Sequence, residues 1–189
     1  MPPVTPQLLA RMAFMAVVVV VVQVAAISQI DLAGTNADLT PLVVAAVGLL
    51  CGSIPGAVFG FAVGMFVDTA LVQTMGLSSL VYVVAGYGAG RLRELRDPQA
   101  AVIPMVLGAA ATAVATVGFG LMNFLLGIDA PVSWLLLRQI LAQIVLNALI
   151  ALPVFALVRR WLSPVLPEDP RRRRRRAYTT GGLSPLSRA

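Results

Sequence analysis

The sequence contains no histidine, no lysine and a single cysteine, Cys51. The missing histidine excludes a Ser–His dyad and any histidine-ligated metal. The missing lysine excludes the phosphate-binding loop GxxxxGK[ST]. One cysteine excludes an internal disulfide and a multi-cysteine metal site. We therefore expect a protein that is not an enzyme and has no cofactor or metal. An enzyme without a recognisable motif is the alternative that this inventory leaves open.

Charge is also scarce. Only 12% of the residues are charged and 59% are hydrophobic, and the mean hydropathy is +0.90. A soluble domain usually carries roughly a quarter charged residues. Several apolar runs also exceed the ~18 residues that are needed to cross a bilayer. The composition therefore predicts a polytopic membrane protein of the all-α class.

Six hydrophobic segments are present, and we expect each to form a transmembrane helix of one bundle within residues 1–162. They are Leu8–Ile27, Leu42–Gly52, Gly56–Val72, Leu77–Gly90, Ala101–Leu126 and Trp134–Val158. The second has only about eleven residues, or ~16 Å of helix. The last, measured between its flanking tryptophans, exceeds the bilayer thickness. This predicts a tilt, a kink at Pro153 or a cytoplasmic extension. The first segment also has a signal-peptide interpretation, but its length favours a retained membrane helix.

Arginine is distributed unevenly among the connecting loops. Arg91, Arg93 and Arg96 follow the fourth segment, and Arg159 and Arg160 follow the sixth, whereas two other loops carry aspartate and no arginine. Arginine-rich loops stay in the cytoplasm. Six crossings with both termini inside satisfy this rule at every loop, so we predict an N-in, C-in topology.

Residues 163–189 are predicted to be a disordered cytoplasmic tail, because they are rich in proline and arginine and poor in apolar residues. Six consecutive arginines lie here: Arg171, Arg172, Arg173, Arg174, Arg175 and Arg176. One interpretation is electrostatic binding to anionic lipid, worth about 1 kcal/mol per arginine. The other is a topology signal alone. No folded basic domain accompanies the tail, which argues against a nucleic-acid role.

The stretch GAVFGFAVGMFVD, residues 56–68, carries a glycine at every fourth position. Gly56, Gly60 and Gly64 lie along one side of a helix that ends near Asp68. In lipid, small residues at this spacing let two helix backbones approach closely. We expect a packing groove here, used either within the bundle or against a partner. Pro55 is expected to break the helix before this groove.

Asp68 is an ionisable residue within a predicted span, and such a residue usually faces protein and finds a partner. Arg138 enters from the opposite end of its own segment and reaches a similar depth. We predict an ion pair between Asp68 and Arg138, with Asp129 as the competing carboxylate. Below Arg138, three polar residues follow at four-residue spacing: Gln139, Gln143 and Asn147. We expect this polar stripe to face protein, either in interhelical hydrogen bonds or at a ligand or partner contact.

Three stretches of the chain resemble the bacterial rod shape-determining family MreD. They are GAVFGFAVGMFVD (56–68), MGLSSLVYVVAGYGAGRLR (75–93) and NALIALPVFALVRR (147–160). The resemblance spans roughly residues 8–160 and leaves the tail outside. The residues that match the family pattern are Gly56, Gly60, Gly64, Asp68, Gly76, Tyr87, Gly90, Arg91 and Asn147.

The resemblance implies a non-enzymatic subunit of the cell-elongation machinery that organises peptidoglycan synthesis. Such proteins associate with MreC, and through it with MreB and with RodA and its penicillin-binding protein. The family is also similar in fold to the S components of ECF vitamin transporters, so a vitamin-binding transporter subunit is the alternative. An S component is expected to carry an Ala-xxx-Ala face on its first helix, and this chain lacks one.

Overall fold

A computed structural model describes residues 6–25, 31–32, 35–36, 38–72, 74–95, 102–127 and 134–165. These residues contain six helices: α1 (Pro6–Ala25), α2 (Leu39–Cys51), α3 (Ser53–Ala70), α4 (Leu77–Leu95), α5 (Val102–Leu125) and α6 (Trp134–Leu162). The predicted all-α helix bundle is confirmed. It carries one small addition between α1 and α2, an antiparallel ribbon of β1 (Asp31–Leu32) and β2 (Thr35–Asn36).

The short helix α2 is the centre of the bundle. It contacts all five other helices, and eleven of its thirteen residues are buried. Val44, Val47 and Leu49 are almost completely shielded. Since apolar residues surround α2 on every side, it is hydrophobic all round rather than on one face, as expected for an enclosed helix.

The break between α2 and α3 lies at Gly52 and not at Pro55, where the sequence analysis had placed it. Gly52 has φ of 107°, a backbone conformation that favours glycine. Pro55 is the third residue of α3. Proline is tolerated in the first turn because amides there have no partner within the helix. The two helices therefore join through a single residue.

Among the described residues, four helical stretches are long and apolar enough to cross a membrane: Pro6–Ala25, Ser53–Ala70, Ile103–Met122 and Leu137–Leu162. Helix α2 is shorter, at about 20 Å against a ~30 Å hydrocarbon core. Helix α4 has the length, but it continues past Gly90 into Arg91, Arg93 and Glu94. The structure thus supports a polytopic membrane bundle, while the count of six crossings and their orientation stay predictions.

Helix α6 runs without interruption through Pro153 to Leu162 and has 29 residues. Its last turn therefore includes Arg159 and Arg160, beyond the predicted end at Val158. The final turn of α6 also lies beside the first turns of α1, where Arg11 meets Trp161. This proximity agrees with the predicted placement of both termini on one side of the membrane.

Candidate functional site

The α3 glycines face α4 along an antiparallel seam. A Cβ added to Gly60 would overlap the carbonyl of Tyr82, and one added to Gly64 would overlap the backbone of Ser79. At Gly56 the added atom would lie 2.6 Å from the carbonyl oxygen of Gly86. Backbone therefore meets backbone at three successive points over about two helical turns, which only glycine permits at these positions.

The close backbone contacts extend beyond these three glycines, further along α4 and onto α2. Gly90 of α4 is buried against the backbone of Ser53. Gly48 of α2 approaches the carbonyl oxygen of Gly86, so α2, α3 and α4 meet around the Gly48–Gly56–Gly86 contact. The structure thus uses the predicted groove for packing inside this chain. Tyr87 and Arg91 lie on the other side of α4 and are exposed.

The carboxylate of Asp68 caps the turn that leads from α3 to α4. Its Oδ2 accepts a hydrogen bond from the Gly76 amide at 2.7 Å, and its Oδ1 accepts one from the Ser78 amide at 3.2 Å. The side chain is 0% exposed. Since Ser78 lies in the first turn of α4, the negative charge also meets the positive end of that helix dipole. Gly76 adopts φ of 91° to complete the turn.

These contacts correct the predicted ion pair between Asp68 and Arg138. Both carboxylate oxygens are engaged by amides of the adjacent turn, whereas Arg138 is an exposed side chain near the start of α6. No ion pair joins these two described residues. The competing residue, Asp129, lies outside the described part of the chain.

The predicted polar stripe of α6 does not share one environment. Gln139 is exposed, Gln143 is half-buried and Asn147 is fully buried. Four-residue steps turn by about 40° around a helix with 3.6 residues per turn. The row therefore moves from the bundle surface into its interior as it descends. Asn147 alone reaches the core.

Asn147 is the centre of a hydrogen-bond network that joins three helices. Its Nδ2 donates to Oγ1 of Thr112 on α5 at 3.1 Å, and its Oδ1 accepts from the Asp38 amide at 3.2 Å. The Asp38 carboxylate in turn caps α2 by accepting from the Thr40 amide. Gln23 of α1 accepts from the Leu39 amide at 2.9 Å. The start of α2 is thereby tied to α1, α5 and α6.

Four members of this network were not predicted as site residues: Gln23, Asp38, Thr40 and Thr112. An aspartate just before an apolar run is an N-cap signal that identifies Asp38. Asp38 precedes α2 and lies outside the four membrane-spanning helices. Burial raises the pKa of Asp38 to about 6, although the hydrogen bond from the Thr40 amide opposes the shift.

A second contact closes the bundle at the opposite end. Arg11 of α1 donates from Nη1 to the carbonyl oxygen of Trp161 at 2.7 Å, and its guanidinium lies 5.8 Å from the centroid of the same indole. Phe14 stacks on that ring at 5.6 Å. A carbonyl in the last helical turn has no partner within the helix, so Arg11 supplies one from another helix.

The remaining predicted site residues are the tail arginines, 171–176, and they lie outside the described part of the chain. Within the described residues, no three histidine, cysteine, aspartate or glutamate side chains cluster as a metal site requires. The described site residues therefore serve helix packing, through close glycine contacts, side chains that cap helix ends and buried amide hydrogen bonds.

The family comparison covers the whole of this helical region. A model of the rod shape-determining protein MreD family matches residues 6–161, which is more than four fifths of the 189-residue chain. The chain belongs to the MreD family. The match includes the seam, Asp68, Asn147 and the Arg11–Trp161 contact, and it stops before the tail. This chain is thus a rod shape-determining membrane protein.

Neither the curated proteins nor the solved structures contain a match to the chain. The expected likeness in fold to transporter S components therefore stays a prediction. The family assignment agrees with the resemblance found in the glycine-rich stretch and in the last helix.

Proposed function

We propose that this MreD-family chain is a non-enzymatic, multi-pass subunit of the bacterial cell-elongation complex in the inner membrane. In this role it binds MreC directly and, through MreC, joins MreB and the RodA–penicillin-binding-protein pair. The family match over residues 6–161 supports the cellular role. We assign the contact with MreC to one feature of the structure.

That feature is the outer turn between α3 and α4, residues 71–72 and 74–76. Val72 is 91% exposed and Met75 is 68% exposed. Leu71 is also exposed beside them. Three large apolar side chains thus project from one turn, at the end of the bundle that the predicted topology places outside the cell.

The backbone of this turn is strained. Val72 has φ of 52°, and a β-branched residue rarely adopts a positive φ. Such strain costs of order 1–3 kcal/mol and persists only where the surrounding structure enforces it. The two hydrogen bonds to Asp68 fix the end of the turn that follows Val72, where Gly76 and Ser78 donate to the carboxylate.

A rigid apolar projection suits recognition of another protein, because little conformational entropy is lost when it is covered. The turn joins α3 and α4, so a periplasmic or membrane-embedded segment of MreC reaches it from the predicted outer face. Val72 is the residue expected to lie at the centre of that contact, since it is the most exposed of the three.

The proposal is tested by photocrosslinking in cells that express MreC. A photoreactive amino acid replaces Val72 in one variant and Val117 in the control. Val117 is 67% exposed on the regular helix α5, so it matches Val72 in residue type and accessibility. We expect a crosslink to MreC from position 72 and several-fold less from position 117.

Equal crosslinking at both positions, or none at position 72 while MreC still co-purifies with the full chain, would rule out the outer turn as the contact. Co-purification of an ATPase module or a vitamin-like ligand in place of MreC would favour the transporter alternative and remove the proposed function itself.

A further inference from the structure

The end of the bundle opposite the outer turn carries basic and aromatic residues that the proposed contact with MreC does not use. They are Arg11 on α1 and Arg159, Arg160 and Trp161 on α6, and we call this cluster the α1–α6 corner. Arg159 and Arg160 are exposed, and Trp161 is 45% exposed. The corner is therefore open to its surroundings.

The Arg11–Trp161 contact fixes the shape of the corner. Nη1 of Arg11 is held by the Trp161 carbonyl, while the guanidinium covers one part of the indole and Phe14 stacks on the ring. A guanidinium has five N–H donors, and this arrangement assigns one of them to protein. The indole is held at the edge of the bundle, a position typical of tryptophan at a membrane interface.

The positive charge of the corner faces no described carboxylate. Among the side chains that the structure describes, the carboxylates are those of Asp38 and Asp68. Each is engaged by backbone amides elsewhere in the bundle, Asp38 at the start of α2 and Asp68 at the outer turn. The corner thus presents three guanidinium groups that the described carboxylates do not neutralise.

The surface beside the corner is apolar. Leu157, one turn before Arg160 and Trp161, is 69% exposed, and Phe14 and Leu9 are exposed on α1. A soluble anion or a nucleic acid would use only the charged part of such a surface. A molecule with an anionic head and an acyl chain would use both parts.

We propose that the α1–α6 corner binds the phosphate group of an anionic membrane phospholipid, with the acyl chains along the exposed faces of α1 and α6. Arginine forms paired hydrogen bonds with phosphate oxygens, and juxtamembrane arginines contribute attraction to anionic lipid. The site lies in the folded domain and is distinct from the arginine-rich tail.

The test uses the purified full-length chain in detergent and native mass spectrometry with added phosphatidylglycerol or phosphatidylcholine. Arg159 and Arg160 are changed together to glutamine. We expect phosphatidylglycerol affinity to fall about 30-fold, the equivalent of about 1 kcal/mol from each of two arginines at 1.4 kcal/mol per tenfold. Phosphatidylcholine retention is expected to stay low and unchanged.

Two controls separate the corner from other basic groups. Arg138→Gln removes an exposed arginine at the opposite end of α6 and is expected to leave binding unchanged. Changing the six tail arginines to glutamine is expected to leave the tightest-bound phosphatidylglycerol in place. Binding lost in the tail variant but kept in R159Q/R160Q would overturn the proposal.

Equal retention of phosphatidylglycerol and phosphatidylcholine, or tighter retention of an oligonucleotide than of either lipid, would overturn it too. A thermal unfolding midpoint equal to that of the unaltered chain shows that R159Q/R160Q is folded. Since the assay contains no partner protein, its outcome is independent of the proposed MreC contact.

Discussion

The substitution Gly56→Ala tests whether backbone contact along the α3–α4 seam holds the bundle together. The added Cβ would lie 2.6 Å from the Gly86 carbonyl oxygen on α4 and 2.6 Å from Gly48 Cα on α2. Ordinary contact for such an atom begins at about 3.4 Å, so a separation of about 0.8 Å has to open on each side. Because α2 and α4 confine Gly56 from two directions, moving away from one helix does not relieve the overlap with the other.

The magnitude follows from two opposing effects. Overpacking of an interior typically costs about 1–3 kcal/mol, while alanine gains up to about 1 kcal/mol over glycine from helix propensity. We expect Gly56→Ala to destabilise the fold by about 1–2 kcal/mol. Hydrocarbon provides no hydrophobic compensation between membrane helices.

Gly88→Ala is the matched control. Gly88 lies on the same helix as Gly86, and a Cβ added there meets nothing within 4 Å. This variant gains helix propensity without overlap, so its stability is expected to stay equal or rise by up to about 1 kcal/mol. Thermal unfolding in detergent, followed by circular dichroism at 222 nm, compares both variants with the unaltered chain.

A lower unfolding midpoint for Gly56→Ala than for Gly88→Ala is the expected result. If the two midpoints coincide, the seam is not a close backbone contact and the packing account fails.

Two further substitutions probe the capped helix ends. Asp68→Asn replaces one accepting oxygen with a donor, so the Gly76 or Ser78 amide loses its partner. We expect about 1–3 kcal/mol of destabilisation and weaker photocrosslinking of position 72 to MreC. Unchanged values in both assays would refute the capping role. Asp38 has its pKa raised from 3.8 to about 6 in the folded chain, so the folded state binds the proton more tightly. Stability is then expected to be fully present below about pH 4 and to decline by at most about 3 kcal/mol as the pH rises through 6. The difference between midpoints at pH 4 and pH 7 measures it, and Asp38→Asn should reduce that difference.

The amino-acid pattern identified the seam because its physical cause is local. Glycine at every fourth position of an apolar stretch has one use in lipid, which is close helix approach, so Gly56, Gly60 and Gly64 were recognisable from spacing alone. The helix that receives them was harder to recognise, since its facing row contains glycine only at Gly86 and Gly90, while Gly60 meets the backbone of the large residue Tyr82.

The wrong partner for Asp68 has a similarly specific cause. The predicted ion pair joined two charged residues at similar depths, because a buried carboxylate was expected to require a cation. Backbone amides satisfy it instead, and amides are present at every non-proline residue, so the sequence gives no mark of which ones are free. Only the positive φ at Gly76 brings them to the carboxylate.

Pro55 was expected to break a helix, but it lies within the first turn of α3, where proline is tolerated. Proline in the third position of α3 needs no interior hydrogen bond, whereas the one-residue join at Gly52 depends on φ of 107°. The hydrogen-bond network around Asn147 could not be predicted from the sequence for another reason. It requires α2 to start deep enough in the bundle to meet α5 and α6, and segment lengths do not determine that depth.

The seam has a mechanical consequence. Where side chains separate two helices, a change of rotamer absorbs a small displacement. Between Gly56 and Gly64 no side chain can adjust in this way, because the backbone of α3 contacts the backbone of α4 directly. We therefore expect a displacement of Val72 at one end of this pair to reach Ser53 and Gly90 at the other, because direct backbone contact couples α3 to α4.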